Sequence, residues 1–568
     1  MNIFNKILLK LVLFPSGLYT RMGVNVNHLK AILTTKLMMD DRRPNSFQQM
    51  QQKRRKKTIS TATLSTMLMA LIAGGLFAFI SALLDNTLTK FTIYFSFYIT
   101  FLASILIADF TSVLIDVRDS YIILPKPVTD RTFVLSRLLH IFIHVCKIVL
   151  PMALPGAVIF VINYGAWAIA AFAPMVLTAT LFTIFLINAC YILILKITTP
   201  QKFQNIISYI QIAFAIFFYA CYQLVPRMMG RFSGLDISRG KAIILLPPFW
   251  FAGGWQQIYS PANSIQLWCC LLLSFAVPLF SLWLVIKYFA PAFNQKLAMI
   301  GGGTTEGTAL NKVVKKEKST SSYSQRLAGL ITRHGAERSG FIFTWKMMLR
   351  SRDFKMKVYP AIGYMIVILV LMFFNMRGLT LNDISLQDDK GRIAILIVIY
   401  FSNLLLVSAL GQITLSDKFK AAWVFFTAPV DVPGKILSGA IKAAISQFFF
   451  PVAAVTLIAL ISLAGISVIP NALFGICNEL LITGVSAYFI ADKLPFSSPQ
   501  SIRSSSKGML RVFSVMIIGS LLAVLQYILY KITPVIIILT ILSAVASWMV
   551  FDSIKKYTWK KVQRRYEE

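Results

Sequence analysis

Long apolar runs recur along this chain and constrain its fold more than any other feature of the sequence. Water is absent from the core of a bilayer, so a run of about 18 or more apolar residues must satisfy its backbone groups within one helix. Runs of this length are typical of helices and not of barrel strands. The chain is 57% hydrophobic, with a mean hydropathy of +0.71. We therefore predict an all-α polytopic membrane protein.

The apolar runs predict about 12 transmembrane helices. The predicted spans are Thr61–Leu84, Phe91–Ile115, Ser136–Ile162, Ala166–Ile197, Ile206–Val225, Ile265–Phe289, Val358–Asn375, Arg392–Thr414, Ile436–Ala464, Val468–Ala491, Met509–Tyr530 and Pro534–Val550.

The charge of the chain follows these spans. Its formal net charge of +34 would suggest nucleic-acid binding on a soluble protein. With the N terminus placed inside, most of the 56 lysines and arginines fall on the cytoplasmic side of the predicted spans. This positive-inside pattern predicts a multi-pass protein of the bacterial cytoplasmic membrane with both termini in the cytoplasm. Membrane lipids, and not nucleic acid, are the expected partners of the basic charge.

A polar, basic loop between two apolar runs occurs twice, about 300 residues apart. The first copy covers residues 116–138 (DVRDSYIILPKPVTDRTFVLSRL) and the second covers residues 416–442 (SDKFKAAWVFFTAPVDVPGKILSGAIK). Each copy has a charged start, a short apolar patch, a Pro-Val pair, an acidic turn and a basic residue that opens the next helix. The residues that carry this pattern are Asp116, Arg118, Asp119, Tyr121, Pro127, Arg131, Asp417, Lys418, Trp423, Pro429, Asp431 and Lys435. We predict matching cytoplasmic loops, each with a short helix that lies against a partner protein.

Two further segments recur in the same order. Thr35–Arg43, before the first span, is similar to Thr344–Asp353 before the seventh; Lys196–Gln201, after the fourth, is similar to Lys493–Gln500 after the tenth. We therefore predict an internal duplication of six plus six spans, with both copies in one orientation. The predicted domains are an N-terminal cytoplasmic segment at 1–59, a first six-helix half at 60–290, a flexible basic cytoplasmic linker at 291–340, and a second interfacial helix and six-helix half at 341–568.

Two segments outside the spans have their own pattern. Asn27–Met39 places Leu29, Leu33 and Leu37 at helical spacing, which predicts an amphipathic helix on the membrane surface. Pro247–Gln257 is rich in aromatic residues and glycine, which predicts a short segment dipping into the outer interface. The corresponding loop of the second half is almost absent, so this segment distinguishes the two halves.

Ionisable residues within spans are costly and are candidates for function. Glu479, in the tenth span, is a candidate proton or substrate site, with a carboxyl that packs two helices as the alternative. His140, His144 and Lys147 share one face of the third span, which we interpret as facing a transport pathway. Two histidines at this spacing can bind a metal, but no third ligand accompanies them, so we predict no metal site. No catalytic motif surrounds any serine or cysteine, so we do not predict an enzyme.

This arrangement resembles the ABC-2 type permeases, the transmembrane subunits of type V ABC exporters, here as two six-helix halves fused in tandem. The resemblance implies a connecting helix at Asn27–Met39, a coupling helix within Asp116–Leu138 and an extracellular re-entrant element at Pro247–Gln257. Phe341–Arg352 and Ser416–Lys435 match the first two of these parts in the second half, and the third is missing there.

The resemblance also implies the mechanism. ATP and Mg²⁺ would be bound by a separate ATPase subunit, two copies of which would dock on the two loops, so this chain needs no cofactor of its own. The alternative is a proton-coupled secondary transporter of six-plus-six topology, similar to the major facilitator superfamily, although that family's glycine-containing loop motif is missing here. A membrane-embedded scaffold or assembly factor is a third interpretation, because a fold does not determine a function.

Overall fold

The structure is a computed structural model. It describes residues 2–42, 62–113, 126–198, 200–232, 241–284, 287, 323–333, 335–376, 389–401, 403–416, 418–490, 493–499 and 506–567. In these residues the secondary structure is helical apart from turns and one isolated parallel bridge between Leu415 and Ser498.

The helices of the described residues follow one another along the chain with short connections. Those before residue 290 are α1 (Ile3–Leu13), α2 (Ser16–Arg21), α3 (Val26–Arg42), α4 (Ala62–Ala82), α5 (Thr87–Val113), α6 (Asp130–Tyr164), α7 (Trp167–Ile197), α8 (Pro200–Phe232), α9 (Pro247–Tyr259) and α10 (Ile265–Leu284). Those after it are α11 (Tyr323–Ile331), α12 (Ala336–Arg350), α13 (Arg352–Met376), α14 (Asp389–Phe401), α15 (Asn403–Gln412), α16 (Trp423–Thr427), α17 (Gly434–Ala444), α18 (Phe450–Ala464), α19 (Ile469–Ile490), α20 (Ser506–Leu529), α21 (Thr533–Lys555) and α22 (Trp559–Glu567). A π-helical turn at Ile445–Phe449 joins α17 to α18.

Within the described residues, 10 helical stretches are long and apolar enough to cross a membrane. They are Thr63–Ala82, Thr87–Ile107, Arg131–Tyr164, Trp167–Ile194, Asn205–Leu224, Ile265–Leu284, Gly391–Gln412, Gly434–Ser462, Ile466–Phe489 and Thr533–Lys555. This is the architecture of a polytopic α-helical membrane protein, as the sequence predicts.

The two remaining predicted spans are helical as well. Val358–Asn375 lies within α13 and Met509–Tyr530 begins within α20. Ile517–Leu529, in α20, is an apolar helix shorter than a full span. A total of 12 spans therefore stays a prediction.

The chain divides into two compact units. α1–α10 belong to the first unit, except for Ser208–Cys221 in the middle of α8, which groups with α11–α22 in the second. The core of the first unit is formed by α4–α7, α9 and α10, and the main core of the second by α12, α13, α15, α17 and the π-helical turn.

The first unit is built around α9, the aromatic segment that the sequence predicts to dip into the interface. This helix of 13 residues is too short to cross a bilayer alone. Its Trp255 is fully buried and stacks on Phe91, with ring centroids 3.7 Å apart. Gly253 lies directly against Cys270 of α10, because a Cβ there would approach the Cys270 side chain to 2.7 Å. The segment is therefore part of the core of its unit.

The apolar face of α3 is also inside the protein. Leu29, Leu33 and Leu37 are fully buried, in one cluster with Leu8 of α1 and Ile143 of α6. The sequence predicts this face to lie on the membrane surface. It is covered by protein instead, because α1 supplies an apolar partner that the pattern of α3 alone does not reveal.

Part of the predicted flexible linker is a packed helix. α11 lies within residues 291–340, and its Ala328 is fully buried in the core of the second unit. Leu327 packs against the same core. Residues 323–331 are therefore ordered by an apolar face, although the linker composition around them is polar.

The two units share local backbone conformations at equivalent positions. Gly165 follows α6 with φ 81° and ψ 174°, and Gly465 follows α18 with φ 76° and ψ −177°. These values lie in a region that only glycine adopts readily. The Pro-Val pairs also match, since the Val128 amide donates to the Lys126 carbonyl at 2.7 Å and the Val430 amide donates to the Ala428 carbonyl at 2.8 Å.

In the second unit, α12 and α17 cross at two glycines. A Cβ on Gly439 would overlap the backbone carbonyl of Glu337, and a Cβ on Gly340 would lie 2.5 Å from the carbonyl of Ile436. Small residues allow backbones to approach this closely in membrane proteins. The crossing fixes the helix before the seventh predicted span against the helix that follows the second loop.

The Gly439→Ala substitution tests this crossing. We expect a loss of about 1–3 kcal/mol in the free energy of unfolding, because the added methyl group forces the two backbones apart. Gly75→Ala is the matched control, since a Cβ at Gly75, also in a helix, meets nothing within 4 Å. Thermal unfolding in mild detergent should show a lower Tm for Gly439→Ala only. Equal Tm values for the two variants would contradict the close crossing.

Candidate functional site

The second of the repeated loops connects α15 to α17 and presents an apolar surface. A 3₁₀ turn at Phe419–Ala422 leads into α16, which ends where Ala428 becomes extended before Pro429. Trp423 is 63% exposed, Val424 is 53% exposed and Phe426 is 48% exposed. The short apolar patch predicted from sequence is therefore a helix with its apolar side chains outward.

Charged side chains surround this patch. Lys418, Asp431 and Lys435 are exposed on the same loop, as is Pro429. Asp417 lies outside the described residues. Exposed charges beside an apolar helix place the loop at a polar end of the spans, because charged groups are costly within the bilayer.

A segment after α19 holds the start of the loop. Residues 493–499 run parallel to residues 413–416, and the Ser416 amide donates to the Ser498 carbonyl at 2.9 Å. The Ser498 amide in turn donates to the Thr414 carbonyl at 2.9 Å. Phe496, with φ 54°, is buried and lies edge-on to Phe343 of α12. The repeat KLPFSSPQ thus braces the loop.

The end of the loop is held by α22 and the turn before it. The indole N–H of Trp559 donates to the Val430 carbonyl at 2.7 Å, and the Trp559 ring lies 5.6 Å from the ring of Phe426. The Gly434 amide donates to the Tyr557 carbonyl at 3.1 Å. A side chain at Gly434 would overlap the backbone of Ile554 and Tyr557. The loop is therefore fixed at the residue where α17 begins.

The third support comes from α12. The ring of Phe425, on the inner side of α16, meets Phe343 edge-on with centroids 5.3 Å apart. α16 thus rests on α12 and α22 and keeps its opposite face free of contacts in this chain.

Glu337 in the first turn of α12 connects the helices behind the loop. Its carboxylate is 1% exposed and lies 2.7 Å from the Lys442 ammonium of α17 and 3.0 Å from the Lys555 ammonium of α21. The Ser438 hydroxyl donates to the same carboxylate at 3.3 Å. One buried anion therefore joins three helices.

The pKa of Glu337 reflects these contacts. Burial raises the pKa of the carboxyl, but the hydrogen bonds and positive charges of Lys442 and Lys555 outweigh burial and lower the pKa below its ordinary value. The carboxyl is ionised at neutral pH and holds both lysines in place.

The first loop is described only at its end. Asp116, Arg118, Asp119 and Tyr121 lie outside the described residues. Pro127 is exposed, and the Arg131 guanidinium, at the start of α6, donates to the Met22 carbonyl at 3.2 Å.

The polar face of α6 lies against α3. The His140 ring nitrogen Nε2 is 2.7 Å from the Asp40 carboxylate, and His140 is 6% exposed. Lys147 is 4% exposed and interacts electrostatically with Asp40 and Asp41, while His144 is half-buried. Their role in a transport pathway stays a prediction.

Asp40 is the centre of this cluster. Burial raises the pKa of its carboxyl, and the hydrogen bond and charge of His140 lower it, with smaller contributions from Lys147 and His144. The net result is a pKa below the ordinary value. In both units a buried or half-buried acid of the pre-span helix thus pairs with a basic residue on the helix that follows the loop.

Glu479 lies beside a buried polar network in the second unit and is 2% exposed. The Asn478 amide donates to the Tyr400 hydroxyl at 2.8 Å, and the Tyr400 hydroxyl donates to Gln526 at 2.8 Å. The Ser543 hydroxyl donates to Asn478 at 2.6 Å. These bonds connect α14, α19, α20 and α21. A largely apolar cavity of about 290 Å³ between α14 and α20 lies beside Tyr400.

Among the described residues, no group of three or more histidine, cysteine, aspartate or glutamate side chains could hold a metal ion. Sequence reasoning missed Glu337, Phe496 and Trp559 as parts of the second loop's support. Glu337 had one signal, since it is one of only 22 acidic residues and lies in a strongly basic part of the chain.

The Glu337→Gln substitution tests the buried ion pair. We expect it to lower the free energy of unfolding by about 2 kcal/mol, less than the loss of a fully buried pair costs, because the lysines keep some contact with water. Asp552→Asn is the control, since the pair between Asp552 and Lys556 is on the surface, where such pairs contribute little.

The pH dependence sharpens this test. A lowered pKa in the folded state means that the stabilisation by Glu337 is fully present above about pH 4.5, the ordinary value, and is lost as the pH falls through the folded-state pKa. Tm measurements in detergent from pH 7 downward should therefore show the gap between wild type and Glu337→Gln closing in acid. A gap that persists there would argue against an ion pair.

No family model matches this chain, and neither a curated protein nor a solved structure was found that matches it.

Proposed function

We propose that the chain is the transmembrane permease subunit of an ABC exporter and moves a substrate across the membrane with ATP hydrolysed by a separate subunit. The observation that carries this proposal is the exposed apolar face of α16, formed by Trp423, Val424 and Phe426. The chain itself is not proposed to be an enzyme, and ATP and Mg²⁺ would be bound by the partner ATPase.

This face has the properties of a docking surface. Apolar side chains gain about 1.5–3 kcal/mol each when they leave water, and aromatic residues dominate the energetics of interfaces. Lys418, Asp431 and Lys435 surround the face and would be disfavoured in lipid, so a protein surface is the more suitable partner. A groove on an ATPase subunit fits this description.

The supports of the loop suggest how motion would be transmitted. A displacement of α16 would reach α12 through Phe343 and Phe425, and α17 through the turn at Gly434. α17 continues through the π-helical turn into α18, so it leads directly into a predicted span. Glu337 ties α12, α17 and α21 together, which favours their movement as one body.

The proposal includes an internal duplication of six plus six spans with both termini in the cytoplasm. The matching conformations of Gly165 and Gly465 and the matching Pro-Val turns support the duplication. Two loops would recruit two ATPase copies, one on each. Membrane lipids surround the spans, the basic charge faces the cytoplasm of a bacterial cell, and nucleic acid is not a proposed partner.

A proton-coupled secondary transporter is the second candidate, and one observation favours it. Glu479 is buried within a membrane-spanning helix, next to a hydrogen-bonded network of Tyr400, Asn478, Gln526 and Ser543. A carboxyl in such a place could take up and release a proton. Glu479→Gln should abolish proton-coupled transport in that case and should leave an ATP-dependent activity in place.

The Trp423→Ala, Val424→Ala double variant tests the docking surface. We expect an ATPase subunit to copurify with the wild-type chain in mild detergent, near two copies per chain, and its yield to fall at least tenfold with the variant, since two central apolar contacts are lost. Quantitative mass spectrometry of the purified complexes is the measurement.

The matched control is Trp548→Ala, because Trp548 is 69% exposed but lies in a membrane-spanning helix. It should retain the ATPase. Undiminished copurification with the double variant, at a Tm equal to that of wild type, would overturn the assignment of α16. A wild-type chain that brings no ATPase would favour the secondary transporter.

A further inference from the structure

α1 has two apolar faces, and only one of them is used within the protein. Leu8, Leu9 and Val12 are buried against α3 and α6. The opposite face and the adjoining α2 carry large apolar side chains that are more than half exposed. These residues are Ile7 at 55%, Leu11 at 62%, Phe14 at 89%, Leu18 at 59% and Met22 at 51%.

Hydrogen bonds fix α1 at the level where the first span begins. The carboxylate of Asp41 accepts from the Asn2 amide at 3.0 Å and from the Asn5 side chain at 2.8 Å. The same carboxylate accepts from the hydroxyl of Thr63, the first residue of the first membrane-spanning stretch. The start of α1 is therefore level with the end of that span.

α2 is fixed at the same level by the third predicted span. Arg131, the first residue of its membrane-spanning stretch, donates to the Met22 carbonyl at 3.2 Å, and the Thr132 hydroxyl accepts from the Asn25 amide at 3.1 Å. The Tyr19 hydroxyl donates to the Val12 carbonyl at 2.9 Å and ties α2 to α1. Both ends of the α1–α2 segment thus lie at the boundary between the spans and water.

The charge of the segment is of one sign. Lys6, Lys10 and Arg21 are exposed, and residues 2–24 contain no acidic side chain. On α1 the lysines lie along one edge of the exposed apolar face, at helical spacing of four residues. Basic side chains that border an apolar stripe are typical of helices that bind anionic membrane surfaces.

We propose that α1 and α2 form an in-plane anchor on an anionic lipid leaflet. The outer apolar face of the segment, from Ile7 to Leu18, enters the boundary between headgroups and acyl chains, and Lys6, Lys10 and Arg21 bind phosphate-bearing headgroups. The anchor holds α3 from outside, so the pre-span helix is enclosed by protein while α1 meets the lipid. This proposal does not depend on the choice between an exporter and a secondary transporter.

The test measures the depth of a spin label on the full chain in vesicles. All six cysteines are replaced, and Phe14→Cys carries the label in phosphatidylglycerol vesicles. We expect frequent collisions with oxygen and rare collisions with a water-soluble nickel complex. Lys30→Cys, on the exposed side of α3, is the matched control and should show the opposite pattern.

Either other pattern at Phe14 would overturn the proposal. Frequent collisions with the nickel complex would show that the face is in water, and rare collisions with both reagents would show that a protein covers it. For the charges, Lys6→Gln with Lys10→Gln should bring the label closer to water in phosphatidylglycerol and leave it unchanged in phosphatidylcholine. Equal depths in the anionic vesicles with and without the lysines would overturn the headgroup contact.

A second measurement applies if the cysteine-free chain does not fold. Phe14→Trp in the native sequence adds one indole at the same position. Lipids brominated on the acyl chain should quench the fluorescence that this variant gains over wild type. Gained fluorescence that brominated lipids leave unquenched would overturn the proposal as well.

Discussion

A carboxylate buried beside membrane-spanning helices requires a cation against it, and this requirement fixes the helix that precedes the spans in each unit. Glu337 in α12 holds Lys442 and Lys555, and Asp40 in α3 holds His140. An isolated buried charge would cost several kcal/mol, so each acid determines which neighbouring helix its own helix lies against. In the second unit the ion pairs also determine the support of the loop, because α12 carries Phe343 under α16.

Close backbone contact makes this arrangement specific. The glycines at 340 and 439 let α12 and α17 approach until their backbones touch, and Ser438 then reaches Glu337. A loop held in this way by backbone hydrogen bonds, ring contacts and an ion pair loses little conformational entropy when it binds a partner, since its shape exists beforehand. The exposed side chains of α16 are thus presented by a rigid base.

The sequence predicted the class of fold and most spans because length and composition alone decide whether a helix can cross a bilayer. It also predicted α16, because Ala428 and Pro429 end the apolar patch. The supports of the loop could not be predicted, since Glu337 pairs with Lys442 and Lys555 over long separations in sequence. The packing of α3 was predicted wrongly in its partner: its apolar stripe is real, but a stripe does not say whether lipid or another helix covers it. α1 supplies that cover, and its two apolar faces have no single helical stripe to reveal them.

The helix that follows each loop begins at a point held by a different part of the chain. Arg131 and Thr132, at the start of α6, bind the α2–α3 connection, whereas Gly434, at the start of α17, binds the turn between α21 and α22. The acids differ in the same way, with Asp40 near the end of α3 and Glu337 in the first turn of α12. The local turn at each Pro-Val pair is the same although these surroundings differ. A segment that had only to connect two spans would need no such anchor, because connecting loops tolerate variation. Fixing the exit of each loop by unrelated elements is what a docking function requires, since a partner that moves the loop must also move the helix that follows it.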